Sequence, residues 1–197
     1  NPINMEVYHP MDQNMPRGLL GLPSGKKLLL FGALNVTDKR KGIDFLIEAL
    51  RKLEKQDVEL VVFGQVKDDI RGLFPVPIHS MGYLSDESKI VALYNAVDMF
   101  ITSSLEENLP NTIMESMACG TPCVGFATGG IPEMIDHRVN GYVANYKDAD
   151  DLASGIRWVL EHEDRQALSD ACVKKVRDNY TEEVVARQYI ALYKKLL

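Results

Sequence analysis

The segment from Ser104 to Pro122, SLEENLPNTIMESMACGTP, sets two carboxylates, Glu107 and Glu115, on either side of a turn. It follows the apolar run Met99–Thr102, which reads as a buried strand, and it leads into a second apolar run, Cys123–Phe126. Strand, acidic turn and helix in that order place both side chains at the carboxyl end of a parallel strand, where open α/β sheets bind their ligands. Pro110 suits the first turn of a helix, where no amide hydrogen is needed. Glu107 therefore falls on the loop and Glu115 on the helix.

On that helix Glu115 shares a column with Asn111, Ala118 and Cys119. The column is small and only partly polar, so it would bury part of the carboxylate. A buried carboxylate needs hydrogen-bond donors, and the two hydroxyls of a sugar diol would supply them. The helix start is independently a natural anion site. Two other readings stay open here. Glu115 can be a solvated helix residue with Glu107 decorating the turn, or the two can be the acid and base of a hydrolase.

The rest of the chain must supply the frame. Lys27–Leu34 is a continuous apolar run, the pattern of a strand buried on both faces. After a polar loop, Gly42 leads into a helix with Ile43, Leu46, Ile47, Leu50 and Leu53 on one face. Val58–Gly64 reads as a second strand, residues 65–77 as a loop with a short helix, and Ile78–Met81 as a weak third strand. Ser85 is the expected N-cap of a helix carrying Ile90, Leu93, Tyr94 and Val97, with Asp86 and Glu87 at its positive end. Met99–Thr102, Thr121–Phe126 and Tyr142–Asn145 complete the strands, and three helical segments follow near 148–162, 164–178 and 181–196. Residues 1–26 are rich in Pro, Gly and Asn with little periodicity, and the opening stretch to Pro10, which lacks an initiator Met, reads as a linker within a longer polypeptide. Strands alternating with amphipathic helices predict an α/β domain: a single Rossmann-like parallel sheet flanked by helices, with a helical C-terminal tail.

A chain of 197 residues is enough for one domain with a sizeable core and marginal for two. A net charge of -6 argues against non-specific nucleic-acid binding. No apolar run approaches the roughly 18 residues of a membrane span. Three cysteines, Cys119, Cys123 and Cys172, are an odd number without zinc-like spacing and point to a reduced compartment; Cys119 and Cys123 read as small buried residues. Asp68, Asp69, Asp150 and Asp151 read as solvated acids, His79 and His137 as surface or satisfied histidines, and Trp158 as core. No metal site is expected.

The spacing Glu107 to Glu115 resembles the Glu-x7-Glu motif of retaining glycosyltransferases with the GT-B fold. Further pieces resemble the donor-binding half of family four of these enzymes, in the same order: the opening Asn1–Pro10, Leu22–Pro23, Phe31–Gly32, Lys41–Gly42, Gly64, Met81–Ser85, Tyr94–Asp98, Gly129–Glu133 and Asn140–Tyr142. Each is weak alone, and in register they cover nearly the whole chain. The resemblance implies one half of a GT-B enzyme, with residues 1–20 as interdomain linker, 21–180 as the nucleotide-sugar-binding domain and 181–197 as a crossover helix.

It also implies roles. Glu115 would take the ribose hydroxyls of a nucleotide diphosphate sugar. Glu107 and the stretch Asn108, Leu109, Pro110, Asn111 and Thr112 would address the sugar and diphosphate. Lys41 matches the phosphate-contacting lysine, a cation that would stabilise charge on the leaving diphosphate. Tyr83 and Leu84 would line the nucleobase slot, and Gly32 and Gly64 would flank the donor. Where the family usually has Gly-Arg-Leu, this chain has Gly32, Ala33 and Leu34, and Arg40 is the candidate to replace the lost guanidinium. The nucleotide sugar is the implied substrate, with no separate cofactor. The implied partner is an N-terminal domain carrying the acceptor site, through which alone membrane association would arise; the implied location is the cytoplasm or the inner face of the membrane. A sugar-nucleotide epimerase half and a non-catalytic nucleotide-binding domain are the alternatives. In the last helix Val184, Val185, Gln188, Tyr189, Leu192, Tyr193 and Leu196 form an apolar stripe, and Tyr189, Leu192 and Tyr193 are expected to be partly exposed.

Overall fold

The first apolar run is a strand because both of its faces are covered. In β1 (Lys27–Asn35), Leu29, Phe31 and Ala33 enter one core cluster, while Leu28 and Leu30 enter another on the opposite face. A computed structural model of the chain describes residues 2–35, 38–53, 57–65 and 72–196. The other strands are β2 (Val58–Gln65), β3 (Ile78–Gly82), β4 (Met99–Thr102), β5 (Cys123–Phe126) and β6 (Gly141–Ala144). All pairings are parallel, and the order across the sheet is β3-β2-β1-β4-β5-β6. The fold is the expected α/β Rossmann-like sheet flanked by helices.

Eight α-helices are described: α1 (Asn14–Leu20), α2 (Ile43–Arg51), α3 (Glu87–Ala96), α4 (Asn111–Ala118), α5 (Ile131–Met134), α6 (Ala149–Leu160), α7 (Arg165–Asn179) and α8 (Glu182–Leu196). α2 and α6 cover one face, their Leu46, Leu50, Leu152 and Ile156 meeting Phe31, Ile101 and Val124. α3 and α4 cover the other, joined by Cys172 and Val176 of α7. Among the described residues no helix is long and apolar enough to cross a membrane.

Several local expectations are revised. α1 was not expected, since its sequence NMPRGLL has no amphipathic period. The N-cap of α3 is Asp86 rather than Ser85, because the Asp86 carboxylate accepts the Ser88 amide at 3.0 Å. The fifth strand starts at Cys123, two residues later than expected, since Thr121 and Pro122 still belong to the turn. Asp150 is exposed and pairs with Lys52, but Asp151 is half-buried and structural, accepting the Tyr142 hydroxyl and the Asn145 amide. Asp68 and Asp69 lie outside the described residues, as do residues 66–71 of the loop in which a short helix was expected. His79 is satisfied by Glu59 at 2.5 Å, and His137 by the Val143 amide and the Tyr142 ring. Trp158 is half-buried against the core beside Tyr142. All three cysteines are free and buried, and burial pushes the Cys119 and Cys123 thiols up to about 12, which leaves them inert. Tyr189, Leu192 and Tyr193 are 57%, 51% and 60% exposed, as expected of the α8 stripe.

Candidate functional site

Connections after β1 run to one side of the sheet and connections after β4 to the other, so the strand order reverses between them. A crevice opens at such a switch point beyond the carboxyl ends of the strands. Lys41 lies on the loop after β1 and Glu107 on the loop after β4. Lys41 Nζ stands 2.6 Å from Glu107 Oε1, with the two side chains 31% and 14% exposed. The pair lines a cleft together with Arg40, Glu106 and Asn108.

Backbone fixes this pair. Residues Lys39–Lys41 form a single 3-10 turn whose cap, Asp38, accepts the Arg40 amide. Gly42 closes the turn in the left-handed region at φ 61, and a Cβ there would sit 2.0 Å from the Ser103 carbonyl oxygen. Across that close approach Ser103 Oγ donates to the Lys41 carbonyl at 2.8 Å, and the Leu105 amide donates to the Arg40 carbonyl at 2.7 Å. The loop after β5 braces Glu107 from behind: the Gly130 amide donates to the Asn108 carbonyl at 2.6 Å, and the Thr128 hydroxyl donates to the Leu105 carbonyl, as does the Tyr146 hydroxyl from the loop after β6. Gly129 has φ 52, and a Cβ on it would lie 1.8 Å from the Glu107 carbonyl oxygen. Gly129→Ala is therefore expected to cost about 1–3 kcal/mol in thermal unfolding and to move Glu107 away from Lys41. An unchanged midpoint would show that the loop yields freely.

Glu115 lies on α4, with Glu107 on the loop before it, as the sequence predicts. Helix numbering starts at Asn111, which makes Pro110 the N-cap. Glu115 is half-buried, and its Oε2 accepts the Tyr94 hydroxyl at 2.8 Å. Burial raises the Glu115 carboxyl, the Tyr94 hydrogen bond opposes that rise, and the charge of Glu87 adds to it. Glu115 lines a second pocket with Tyr8, Glu87, Asn111, Met114 and Glu182. Burial and the charges of Glu115 and Glu87 push the Tyr8 phenol up. The two acidic residues thus face different cavities and different partners, a cation and a phenol.

The other expected site residues have surroundings of their own. The Arg40 guanidinium is forked onto Asp38, with Nη2 to Oδ2 at 2.7 Å, and reaches neither Lys41 nor Glu107. Ala33 is buried in the core. Gly32 and Gly64 let two strand ends close up: a Cβ on Gly32 would meet the Phe63 ring at 1.9 Å, and one on Gly64 the Ala33 carbonyl oxygen at 1.7 Å. Tyr83 is 66% exposed, Leu84 packs inward on the core, and neither lines the two cavities. Leu109 is half-buried at the loop tip, followed by Thr112 in the first turn of α4. The sequence reading missed Tyr8, Tyr94 and Tyr146 as parts of the site. For Tyr94 a signal existed, since a tyrosine on an apolar helix face needs a partner for its hydroxyl. Among the described residues no group of three or more His, Cys, Asp or Glu side chains is arranged to hold a metal ion.

The chain is 29% identical over 205 residues to an uncharacterized glycosyltransferase of Methanocaldococcus jannaschii, covering 98% of this chain and 52% of that protein. It is 31% identical over 213 residues to the N,N'-diacetylbacillosaminyl-diphospho-undecaprenol alpha-1,3-N-acetylgalactosaminyltransferase of Campylobacter jejuni, covering 99% and 53%. The chain spans about half the length of the curated relatives it matches. Among solved structures, HepE of Anabaena, determined in complex with UDP and glucose, superposes with a TM-score of 0.80 at 21% identity over 100% of this chain and 56% of that one, a likeness of fold. The family model for glycosyl transferases group 1 matches residues 25–162. That stretch takes in all six described strands, Lys41 and both acidic residues, and the chain belongs to the glycosyl transferases group 1 family.

Proposed function

We propose that this chain is the donor-binding half of a retaining glycosyltransferase that moves a hexosyl group from a nucleotide diphosphate sugar to an acceptor, in polysaccharide or glycolipid synthesis. The observation that carries this reading is the Lys41–Glu107 pair at the switch point of the sheet, held by three interlocked loops. Lys41 and the amino end of α4 hold the diphosphate and stabilise the charge that builds as it leaves. Glu107 addresses the sugar, Glu115 accepts the ribose hydroxyls, and the turn at Tyr83 and Leu84 borders the base. No further cofactor takes part. HepE, which shares the fold, was solved with UDP and with UDP-glucose, which supports a nucleotide sugar as ligand.

The relatives are about twice as long as this chain, which supports an N-terminal domain as partner. It would carry the acceptor site, dock on the exposed α8 stripe and supply any membrane contact, with the reaction in the cytoplasm or at the inner membrane face. Most of the rate then comes from positioning and electrostatics in a closed cleft. This chain alone is expected to bind donor and transfer nothing.

Titration calorimetry with UDP, GDP and ADP tests the reading. One nucleotide should bind selectively, and Glu115→Ala should weaken it about ten- to a hundredfold, the worth of a hydrogen bond to a charged group. Equal affinity in the variant would remove the ribose from Glu115. A non-catalytic binding role is the second reading, favoured by the buried Ala33 and by the engagement of Arg40 with Asp38. Binding without sugar transfer by the full-length protein would select it.

A further inference from the structure

Tyr94 is nearly fully buried, its ring set edge-on between Phe63 and Phe100 with centroids 6.4 and 6.1 Å away. Its backbone is held as well, since Thr121 Oγ1 donates to the Tyr94 carbonyl at 2.8 Å. The ring therefore has one position, and the only polar atom at its far end donates to Glu115 Oε2. A phenol this deep in an apolar core has to find an acceptor, yet a phenylalanine would fill the same space without that demand. The acceptor it has found is the carboxylate that lines the pocket, not a backbone carbonyl.

We propose that Tyr94 is a positioning residue for nucleotide recognition: it locks the plane of the Glu115 carboxylate so that its remaining lone pairs face the pocket and select a vicinal diol. The inference rests on the placement of the ribose at Glu115 given above. A carboxylate free to rotate about its side chain would accept one hydroxyl in many poses. One clamped at Oε2 presents a fixed pair of acceptor directions, and a ribose with both hydroxyls gains more from it than a deoxyribose.

The clamp also sets when the carboxylate is charged. The groups facing Glu115 are Tyr94 and Glu87 from α3, Tyr8 from the N-terminal segment, Cys119 at the C-cap of its own helix and Glu182 at the start of α8. Of these, Tyr94 is the one whose hydrogen bond favours the ionised form of Glu115, while Glu87 disfavours it. Without the Tyr94 hydroxyl the Glu115 carboxyl should take up its proton at higher pH. Diol binding, which needs the carboxylate as acceptor, should then fail earlier as pH falls.

The test compares the 197-residue chain with Tyr94→Phe and Glu115→Gln. Binding of UDP, GDP and ADP is measured across pH, and the tightest of them is compared with its 2′-deoxy form. Tyr94→Phe is expected to reduce the ribose-over-deoxyribose preference by about tenfold and to shift the acid limb of binding to higher pH. A merely structural loss would lower the melting temperature without moving either readout. If Glu115→Gln abolishes the preference but Tyr94→Phe keeps both preference and pH limb, the positioning role is overturned while the ribose site stands. If Glu115→Gln keeps the preference, or no nucleotide binds, the ribose site fails and the inference fails with it. Should Tyr94→Phe not fold, the unaltered chain with ring-carbon-labelled tyrosine decides by NMR. The Tyr94 ring resonance should move both with Glu115 protonation and on nucleotide binding, and a resonance indifferent to both would overturn the proposal.

Discussion

Asp98→Ala is expected to lower the thermal midpoint by roughly 6–20 °C, from about 3–5 kcal/mol for stranding a buried charge and about 2–4 °C per kcal/mol in a chain of this size. Asp98 sits just before β4, at the opposite end of the sheet from the candidate site, and is nearly fully buried. Its Oδ2 accepts from Arg17 Nη2 at 2.9 Å and from the Leu28 amide at 2.8 Å, and its Oδ1 accepts from Arg165 at 2.9 Å. Arg17 is equally buried, and spends its other donors on the carbonyls of Ala96, Pro23, Ser24 and Lys26. Removing Asp98 leaves that guanidinium without its counter-charge and the β1 amide without an acceptor.

The double variant Arg17→Met with Asp98→Ala should recover part of the loss, since taking away both charges removes the uncompensated one. Recovery should be incomplete, because the carbonyls that Arg17 gathers would then be unpaired. Arg165→Ala should cost under about 1 kcal/mol, its side chain being 36% exposed and its charge screened by solvent. An Asp98→Ala variant melting within about 2 °C of the parent would refute this account of the sheet's lower edge.

Arg17 also marks where the sequence stops being readable. Runs such as Lys27–Leu34 and Met99–Thr102 announce themselves because burial on both faces leaves no polar position inside them. α1 carries no such period; it is tied down chiefly by polar contacts over long range, above all by Arg17, which reaches residues 79 and 81 positions away. The same limit applies at the site. That Glu107 lies on a loop and Glu115 on a partly buried helix column followed from Pro110 and local spacing. The Lys41–Glu107 contact spans 66 residues and exists only because the strand order reverses between β1 and β4, so only family resemblance pointed to Lys41. Arg40, the candidate second phosphate ligand, lines the same cleft as Lys41, and its guanidinium is held by a carboxylate two residues back, Asp38.

On the proposed reading, the Lys41–Glu107 contact yields an expectation with opposite signs for its two members. In the full-length protein, Lys41→Ala is then expected to reduce sugar transfer by about 10²–10³-fold, the usual effect of losing one preorganised group that meets developing charge. The free nucleoside diphosphate should also bind about tenfold more weakly, for want of a charge-assisted hydrogen bond. Glu107→Gln should behave otherwise. At 2.6 Å from Lys41 Nζ, the Glu107 carboxylate occupies the cation that, on the proposed reading, an incoming diphosphate would have to claim. Neutralising it removes a competitor, so the diphosphate should bind as tightly as before or more tightly, while transfer falls because the sugar has lost its acceptor. A pair that served only to latch the two loops would give a different pattern, in which either substitution weakens diphosphate binding to a similar degree and the double variant adds nothing. Affinities of the two single variants and the double, measured with the diphosphate alone, separate a ligand-facing pair from a latch before any acceptor is known.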